Sequence, residues 1–385
     1  MRFLLIPDKF KGSLDAKEVI QAISRGILRI YPKAKIHSVL ASDGGDGFLN
    51  AVSGNLNVRE IAIDTVDPLQ RKRQAVYLFD SANNTAYIEL AKASGLELLT
   101  KDERDVMRTS TYGTGLQIRH AIEQGATEIY LGLGGSATND GGIGIATALG
   151  YRFLDASGKE LKPMGGNLLK IATIEKRSGA MDVSGVNFYA VNDVDNPLYG
   201  RQGAAYVYAQ QKGATDESTR ILDEGLRNLA RVVAEVLNKE AADLPGAGAA
   251  GGTAYGLNVF LDAKFISGID FLLELAHVHQ LLKACPFDYI ITGEGKIDKQ
   301  TLHGKLIQGV VDIGEQYKIP VIAVCGQSDI EANGPKSISV KRILEITDTS
   351  KPLQYSMDNA AQLVEDSIAT YFENSKGQEG NQNDP

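Results

Sequence analysis

The run Leu131-Gly132-Leu133-Gly134-Gly135-Ser136-Ala137-Thr138-Asn139-Asp140-Gly141-Gly142-Ile143-Gly144 constrains this chain more than any other stretch. Glycine costs roughly 0.5–1 kcal/mol inside a helix or strand, so a segment this rich in it reads as a turn. The turn is bracketed by Glu128-Ile129-Tyr130-Leu131, which reads as a strand, and by Ile145-Ala146-Thr147-Ala148-Leu149, which reads as a buried helix closed by Gly150. That order lets backbone N–H groups approach a phosphate or carboxylate, with the positive end of a helix behind them. The same order also serves as a tight crossover that binds nothing, so its weight depends on what accompanies it.

Three further segments accompany it. Pro7-Asp8-Lys9-Phe10-Lys11-Gly12-Ser13-Leu14 follows the apolar Phe3-Leu4-Leu5-Ile6. Ser42-Asp43-Gly44-Gly45-Asp46-Gly47 follows Ile36-His37-Ser38-Val39-Leu40, and Thr292-Gly293-Glu294-Gly295-Lys296-Ile297-Asp298 follows Tyr289-Ile290-Ile291. Ligands of open α/β sheets bind beyond the carboxyl ends of the strands, so charged, glycine-rich segments in that position are expected to converge on a ligand site. The pattern is that of an enzyme.

At 385 residues the chain exceeds the size at which one core keeps growing, and two domains are expected. Forty-eight acidic against 40 basic residues give a net charge of -8. With no basic run, nucleic acid and membrane surfaces are excluded as partners. Cys285 and Cys325 lie far apart and form no CxxC pair, which reads as reduced core residues rather than a metal or redox site. The apolar run at Met1-Arg2-Phe3-Leu4-Leu5-Ile6-Pro7 is too short for a signal peptide and no stretch approaches a transmembrane span, so a cytoplasmic protein is expected.

Strand and helix signals alternate from Phe3 to about Leu56. Asp15 is placed to cap a helix at Ala16–Ile23, with Glu18 completing a capping box. The alternation resumes near Cys285, with a helix around Leu306 to Tyr317, strands at Val321–Cys325 and Arg342–Ile346, and a closing amphipathic helix at about Met357 to Phe372. Between these regions the character changes. Ser81-Ala82-Asn83-Asn84 separates two apolar runs as a hairpin would, a long helix is expected at about Asp216 to Leu237, and residues Pro245 to Gly252 read as an irregular loop able to close over a site. The expected fold is α/β with two domains. A discontinuous Rossmann-like parallel-sheet domain takes residues 1–64 and 286–373, an inserted mixed α/β domain takes 65–285, and 374–385 form a disordered tail.

Standard motifs narrow the chemistry. Gly304-Lys305 is followed by Leu306 and Gly158-Lys159 by Glu160, so no P-loop is present, and protein-kinase signatures are missing too. Gly132-Leu133-Gly134-Gly135-Ser136-Ala137 satisfies G-x-G-x-x-A, with Asp155 about twenty residues on, which keeps an NAD-dependent hydroxyacid dehydrogenase as the alternative. A non-enzymatic carboxylate-binding protein is a third reading, disfavoured by the missing export signal. Asp43, Asp46, Asp140, Asp193, Asp195, Glu294 and Asp298 all fall in expected loops. Some of them will only cap helices or fix turns, yet such carboxylates also suit magnesium, which takes one or two of them together with substrate phosphates. Asp193 follows the apolar Phe188-Tyr189-Ala190-Val191 and is the best placed for acid–base work. His277 and His279 point to different faces of a helix and form no catalytic constellation.

At this point the residues carry a family resemblance. The four segments above, with Asp193-Val194-Asp195-Asn196-Pro197-Leu198, Gln211-Lys212-Gly213-Ala214 and the run from Pro245 to Gly252, resemble the bacterial type-1 glycerate kinases (glycerate 2-kinases) in the family's own order. Lys9 stands where the family usually has Ser, Asp46 where it has Glu, Asn192 where Cys is frequent, and Tyr208-Ala209-Gln210-Gln211 for aromatic-Gly-Pro-Gln. These departures bear on substrate detail rather than reaction class. The resemblance implies transfer of the ATP γ-phosphoryl group to D-glycerate at its 2-hydroxyl, giving 2-phosphoglycerate, with Mg2+, on a fold unrelated to P-loop kinases.

Phosphoryl transfer needs positioning and charge neutralisation more than covalent chemistry. On this reading Lys11 meets the transferring phosphate or the glycerate carboxylate, and Asp193 is the base for the attacking hydroxyl. Gly134, Gly135, Ser136 and Thr138 supply donors to an anionic group. Ser13, Asp43, Gly44, Gly45, Asp140, Gly293 and Lys296 complete the expected substrate- and nucleotide-binding set. Glu294, with Asp43 as second choice, holds magnesium. ATP and D-glycerate are the expected small-molecule partners, and the oligomeric state is left open.

Overall fold

The computed structural model describes residues 1–40, 47–298, 306–330 and 339–380, with side chains to residue 376. Its first elements are β1 (Arg2–Pro7), α1 (Ala16–Ile30) and β2 (Lys35–Ser38). Phe3, Leu4, Leu5 and Ile6 are all completely buried, so β1 is apolar on both faces and belongs inside a parallel sheet covered on both sides. The expected capping box starts α1: the Asp15 carboxylate accepts from the Glu18 N–H at 2.7 Å, and the Glu18 carboxylate accepts from the Asp15 N–H at 2.9 Å. The helix then runs on to Ile30, past the Ile23 end expected from the sequence.

The chain continues through α2 (Phe48–Asn55), β3 (Arg59–Val66), β4 (Lys72–Asp80), β5 (Thr85–Glu89), α3 (Ala91–Ser94), α4 (Tyr112–Glu123) and β6 (Glu128–Gly132). Then come α5 (Ile143–Ala148), β7 (Tyr151–Leu154), β8 (Thr173–Lys176), β9 (Asn187–Val191), α6 (Ala204–Tyr208), α7 (Asp216–Leu237), α8 (Ala249–Leu261) and β10 (Lys264–Ile266). Six of these strands form one mixed sheet in the order β10-β9-β6-β5-β4-β3. β5, β6, β9 and β10 run parallel, and β4 and β3 add an antiparallel edge through the expected hairpin at Ser81–Asn84. α7 spans the residues expected, with Thr215 at its N-cap.

The remaining elements are α9 (Gly268–Leu275), α10 (Val278–Ala284), β11 (Tyr289–Ile297), α11 (Leu306–Tyr317), β12 (Val321–Ser328), β13 (Arg342–Glu345), α12 (Leu353–Asp358) and α13 (Ala360–Gly380). β11, β12 and β13 join β1 and β2 in a wholly parallel sheet, β13-β12-β11-β1-β2. Numbered by appearance in this unit, that order is 2-1-3-4-5, a doubly wound arrangement whose switch point lies between β1 and β11. The alternation of β1 sorts its two faces. Phe3 and Leu5 join a core with α1 and α13, whereas Leu4 and Ile6 join one with α9, α10 and α11.

Two units result: Met1–Asp43 with Gly268–Pro385, and Gly44–Ser267. Both divisions fall earlier than the 64/65 and 285/286 boundaries expected. α2 packs on β4 and β5, and β3 pairs with β4 along its length, so both belong to the second unit. α9 and α10 carry Ile269, Leu272, Val278 and Leu282 into the core beneath the parallel sheet, so they belong to the first. The closing helix continues to Gly380, past residue 374 where a disordered tail was expected. Cys325 is buried, Cys285 partly so, and both are free thiols, as expected.

α1 and α13 approach closely at Gly26, where an added Cβ would lie 2.5 Å from the Glu365 carbonyl oxygen and 2.9 Å from Ile368 Cβ. Alanine at position 26 gains up to about 1 kcal/mol of helix propensity. Forcing the two helices apart costs about 1–3 kcal/mol, so the clash wins. Gly26→Ala is therefore expected to lower the thermal midpoint, and a raised midpoint would refute this account of the packing.

Candidate active site

In the first unit the site is built where β1 and β11 end side by side. The Asp8 N–H donates to the Gly293 carbonyl at 2.8 Å, which ties the loop after β1 to the neighbouring strand. Phe10 and Leu14 then form an isolated antiparallel bridge, and Ser13 Oγ donates to the Met357 carbonyl at 2.7 Å, pinning the loop against α12. Lys11, Ser13, Glu294 and Lys296, all expected site residues, line one cavity of about 410 Å³ together with Asp8 and Lys9. Lys11 is exposed and has no ion-pair partner among the described residues, while Lys296 pairs with Asp329 at 2.8 Å.

Gly293 does not line that cavity. It is buried, and a Cβ there would sit 2.3 Å from the Val324 carbonyl, so its role is the close approach of β11 to β12. Asp43, Gly44 and Gly45, with Asp46, lie outside the described residues.

In the second unit the parallel strands β5, β6 and β9 end at one edge. The Leu133 N–H donates to the Val191 carbonyl at 3.2 Å, so the glycine turn leaves β6 beside the segment that carries Asp193 out of β9. Gly135 adopts φ +69° at the exposed tip. Ser136 and Thr138 turn inward and are buried. Asp193 itself is half-buried.

Asp140, expected among the binding residues, braces the turn instead. Its buried carboxylate accepts from Thr111 N (2.8 Å) and Oγ1 (2.9 Å), Gly142 N (3.1 Å) and Gly144 N (3.3 Å). Burial pushes its carboxyl up, and those four hydrogen bonds pull against the shift.

One residue absent from the expected set is Lys212. It is 3% exposed, and its ammonium donates to Thr138 O at 2.8 Å and Ser136 Oγ at 3.2 Å. Burial depresses its pKa to about 7, with Asp140 opposing, and it makes no ion pair among the described residues. Ser136 Oγ accepts from Lys212 and also from the Thr138 N–H at 3.1 Å, and its own proton is directed to the Thr138 carbonyl at 3.3 Å. Asn139 buries both side-chain polar atoms without a protein partner. A signal for Lys212 existed in Gln211-Lys212-Gly213-Ala214, but nothing local showed that this lysine points inward.

The Pro245–Gly252 run is not a mobile cover. Gly246 to Ala249 are buried, α8 starts at Ala249, and Ala250, Gly251 and Gly252 adopt three successive left-handed conformations. A Cβ on Gly251 would lie 2.1 Å from the Thr138 carbonyl, so this segment is packed onto the glycine turn and shapes it.

The dinucleotide fingerprint fails on topology. Asp155 follows β7, which forms a two-stranded sheet with β8 apart from the sheet that contains β6. Its carboxylate accepts from Ser157 N and Oγ and from Lys159 N, a local turn rather than a ribose site. No helix of the described residues is long and apolar enough to cross a membrane.

The comparisons with known proteins bear on the whole chain. The model of the glycerate kinase family matches residues 3–374. This chain belongs to the glycerate kinase family. A glycerate kinase of Halalkalibacterium halodurans is 42% identical over 84% of both chains, and the glycerate 2-kinase of Escherichia coli K12 is 39% identical over 85% of both. A solved structure from Salmonella typhimurium LT2, described as a glycerate kinase 2, superposes with a TM-score of 0.83 at 35% identity over 99% of each chain. Family membership makes the chain an ATP-dependent kinase with small-molecule substrates, and the two-domain α/β architecture is the one found in that neighbour.

In this family member the buried lysine has a thermodynamic signature. Unfolded, Lys212 holds its proton up to about pH 10.4, whereas folded it releases it near 7. Between those values the unfolded chain binds more protons, so this residue makes stability rise with pH. The urea midpoint of wild type minus that of Lys212→Met is expected to increase from pH 7 to pH 9.5. An unchanged difference would show that Lys212 keeps its proton in the folded chain.

Proposed function

We propose that this kinase phosphorylates D-glycerate at its 2-hydroxyl, with MgATP as the donor, in the cytoplasm. The observation that carries the reading is the adjacency of β6 and β9, which brings an anion-cradling turn and a candidate base out of neighbouring parallel strands. Backbone N–H groups of Gly134 and Gly135 meet the glycerate carboxylate, with Ser136 turned in beneath them to hold the turn. Thr138 supports them through its contacts with Ser136 and Lys212. The 2-hydroxyl is on the carbon next to that carboxylate, so a base beside the anion site reaches it before the 3-hydroxyl. The name of the E. coli relative, glycerate 2-kinase, supports the same position.

Asp193 takes the hydroxyl proton as the new O–P bond forms and ADP leaves. Lys11 neutralises charge on the transferring phosphate. Among the described residues no group of three or more His, Cys, Asp or Glu side chains could hold a metal by itself. Magnesium keeps several waters and binds through one or two carboxylates plus substrate phosphates. Glu294, on the cavity wall with Lys11, is the described carboxylate assigned to it, with Asp43 as the second choice. Magnesium held there would offset phosphate charge.

Coupled ADP release from MgATP is expected to depend on D-glycerate and not on L-glycerate, and phosphorus NMR should show 2-phosphoglycerate. Asp193→Asn is expected to lower kcat about 10²–10⁴-fold with little change in the KM for ATP. Full turnover with an unchanged pH profile would remove Asp193 as the base. Glu294→Gln should raise the magnesium concentration needed for half-maximal rate, and an unchanged requirement would move the metal role to Asp43.

A further inference from the structure

The cavity at the β1/β11 switch point is too large for the acid and has the wrong chemistry for it. Pockets of about 300–1,000 Å³ accommodate drug-sized ligands, and about 410 Å³ far exceeds what a three-carbon hydroxy acid fills. Its walls are of two kinds. Lys9 and Lys11 come from the loop after β1, at the switch point. Ile346, just past β13, and Leu353 and Met357 of α12 supply an apolar wall, with Phe10 of the β1 loop also on it and Met357 lying against Gly12 and Ser13 of that loop. An apolar wall offers nothing to glycerate, in which every carbon carries oxygen. It suits a planar aromatic base, against which a methionine thioether packs well.

We propose that this cavity is the nucleotide site of the first unit, with the adenine against Ile346, Leu353 and Met357 and the polyphosphate running toward Lys9 and Lys11. The proposal rests on the kinase reading and adds to it the division of substrates: ATP is held by the first unit, and glycerate by the glycine turn of the second. The loop geometry is consistent with a preformed site. Ser13 Oγ holds the Met357 carbonyl, and a Cβ on Gly12, whose φ is +80°, would sit 3.2 Å from the Met357 methyl. The β1 loop and the apolar wall are thus fixed to each other before any ligand arrives.

Methyl-labelled methionine NMR on the full-length protein tests this directly. The chain has five methionines, and Met357→Leu assigns the resonance. ADP is expected to displace the Met357 methyl by the ring current of its base, and by more than tripolyphosphate does, whereas D-glycerate leaves it in place. A second variant, Leu353→Glu, alters a side chain that is 54% exposed and so leaves folding intact. It is expected to weaken mant-ADP binding at least about tenfold by setting an acid on the apolar wall, with the KM for D-glycerate at saturating ATP unchanged. A methyl shift with D-glycerate but not ADP, or wild-type mant-ADP affinity in the variant, overturns the assignment. Wild-type protein that shows the ADP shift without D-glycerate-dependent turnover would instead overturn the substrate reading and leave the nucleotide site standing.

Discussion

Parallel strand pairing governs both candidate sites. A parallel neighbour has to be reached by a crossover, so every strand of such a set delivers its carboxyl end to the same edge. In the first unit this brings the loop at Asp8–Ser13 together with Glu294 and Lys296, although the whole second unit lies between them in sequence. In the second unit it sets Gly134 beside the segment leaving β9, through the pairing of Gly132 with Val191. An antiparallel arrangement of the same strands would send half of these loops to opposite edges. The cost is that β1, β11 and β12 must be apolar on both faces, and their burial satisfies that condition.

Beneath the glycine turn the structure buries two opposite charges that do not touch as an ion pair. Asp140 accepts from backbone and threonine donors, and Lys212 donates to one hydroxyl and one carbonyl. Desolvation is the largest influence on each, and it moves the carboxyl up and the ammonium down. Removing one partner from such an arrangement leaves the other uncompensated, whereas well-packed neutral replacements for both are often no less stable. A buried ammonium is therefore a poor device for stability alone. Placed behind Ser136 and Thr138, it raises the positive potential where an anion would sit, and it fixes the Ser136 hydroxyl and the Thr138 carbonyl beneath the turn.

Features encoded within a few residues were legible in the sequence. The Asp15/Glu18 capping box, the hairpin at Ser81–Asn84 and the extent of α7 each depend on local patterning, and each appears where it was read. What depended on distant partners was not legible. α2 and β3 look like a continuation of the first sheet until β4 pairs with β3, and α9 and α10 look like the end of the insert until their apolar faces meet β11. In non-periodic loops the direction of a side chain carries no sequence signal. Sequence reasoning therefore places Asp140 and Gly293 with ligand-binding residues although both face protein, and gives no role to Lys212, inward and charged. The glycines from Pro245 onward announced a close backbone approach, but the Thr138 carbonyl they approach lies over a hundred residues away.

The absence of a P-loop becomes intelligible in these terms. A P-loop joins backbone amides and a lysine in one short segment, so a single loop both wraps and neutralises the phosphates. Here the two duties are separated. Backbone donors are concentrated in the turn after β6, whereas lysines are supplied by the loop after β1 and by β11, where Gly295 lets the Lys11 backbone approach so closely that a Cβ would lie 3.2 Å from its nitrogen. A cavity with lysines and an apolar wall suits a ligand that joins a base to phosphates. A turn that offers backbone amides, with its cation withheld beneath them, suits a small carboxylate that must bind and leave. On the proposed division each unit presents the chemistry of one substrate, and neither needs the combined motif that a single nucleotide-binding loop would require.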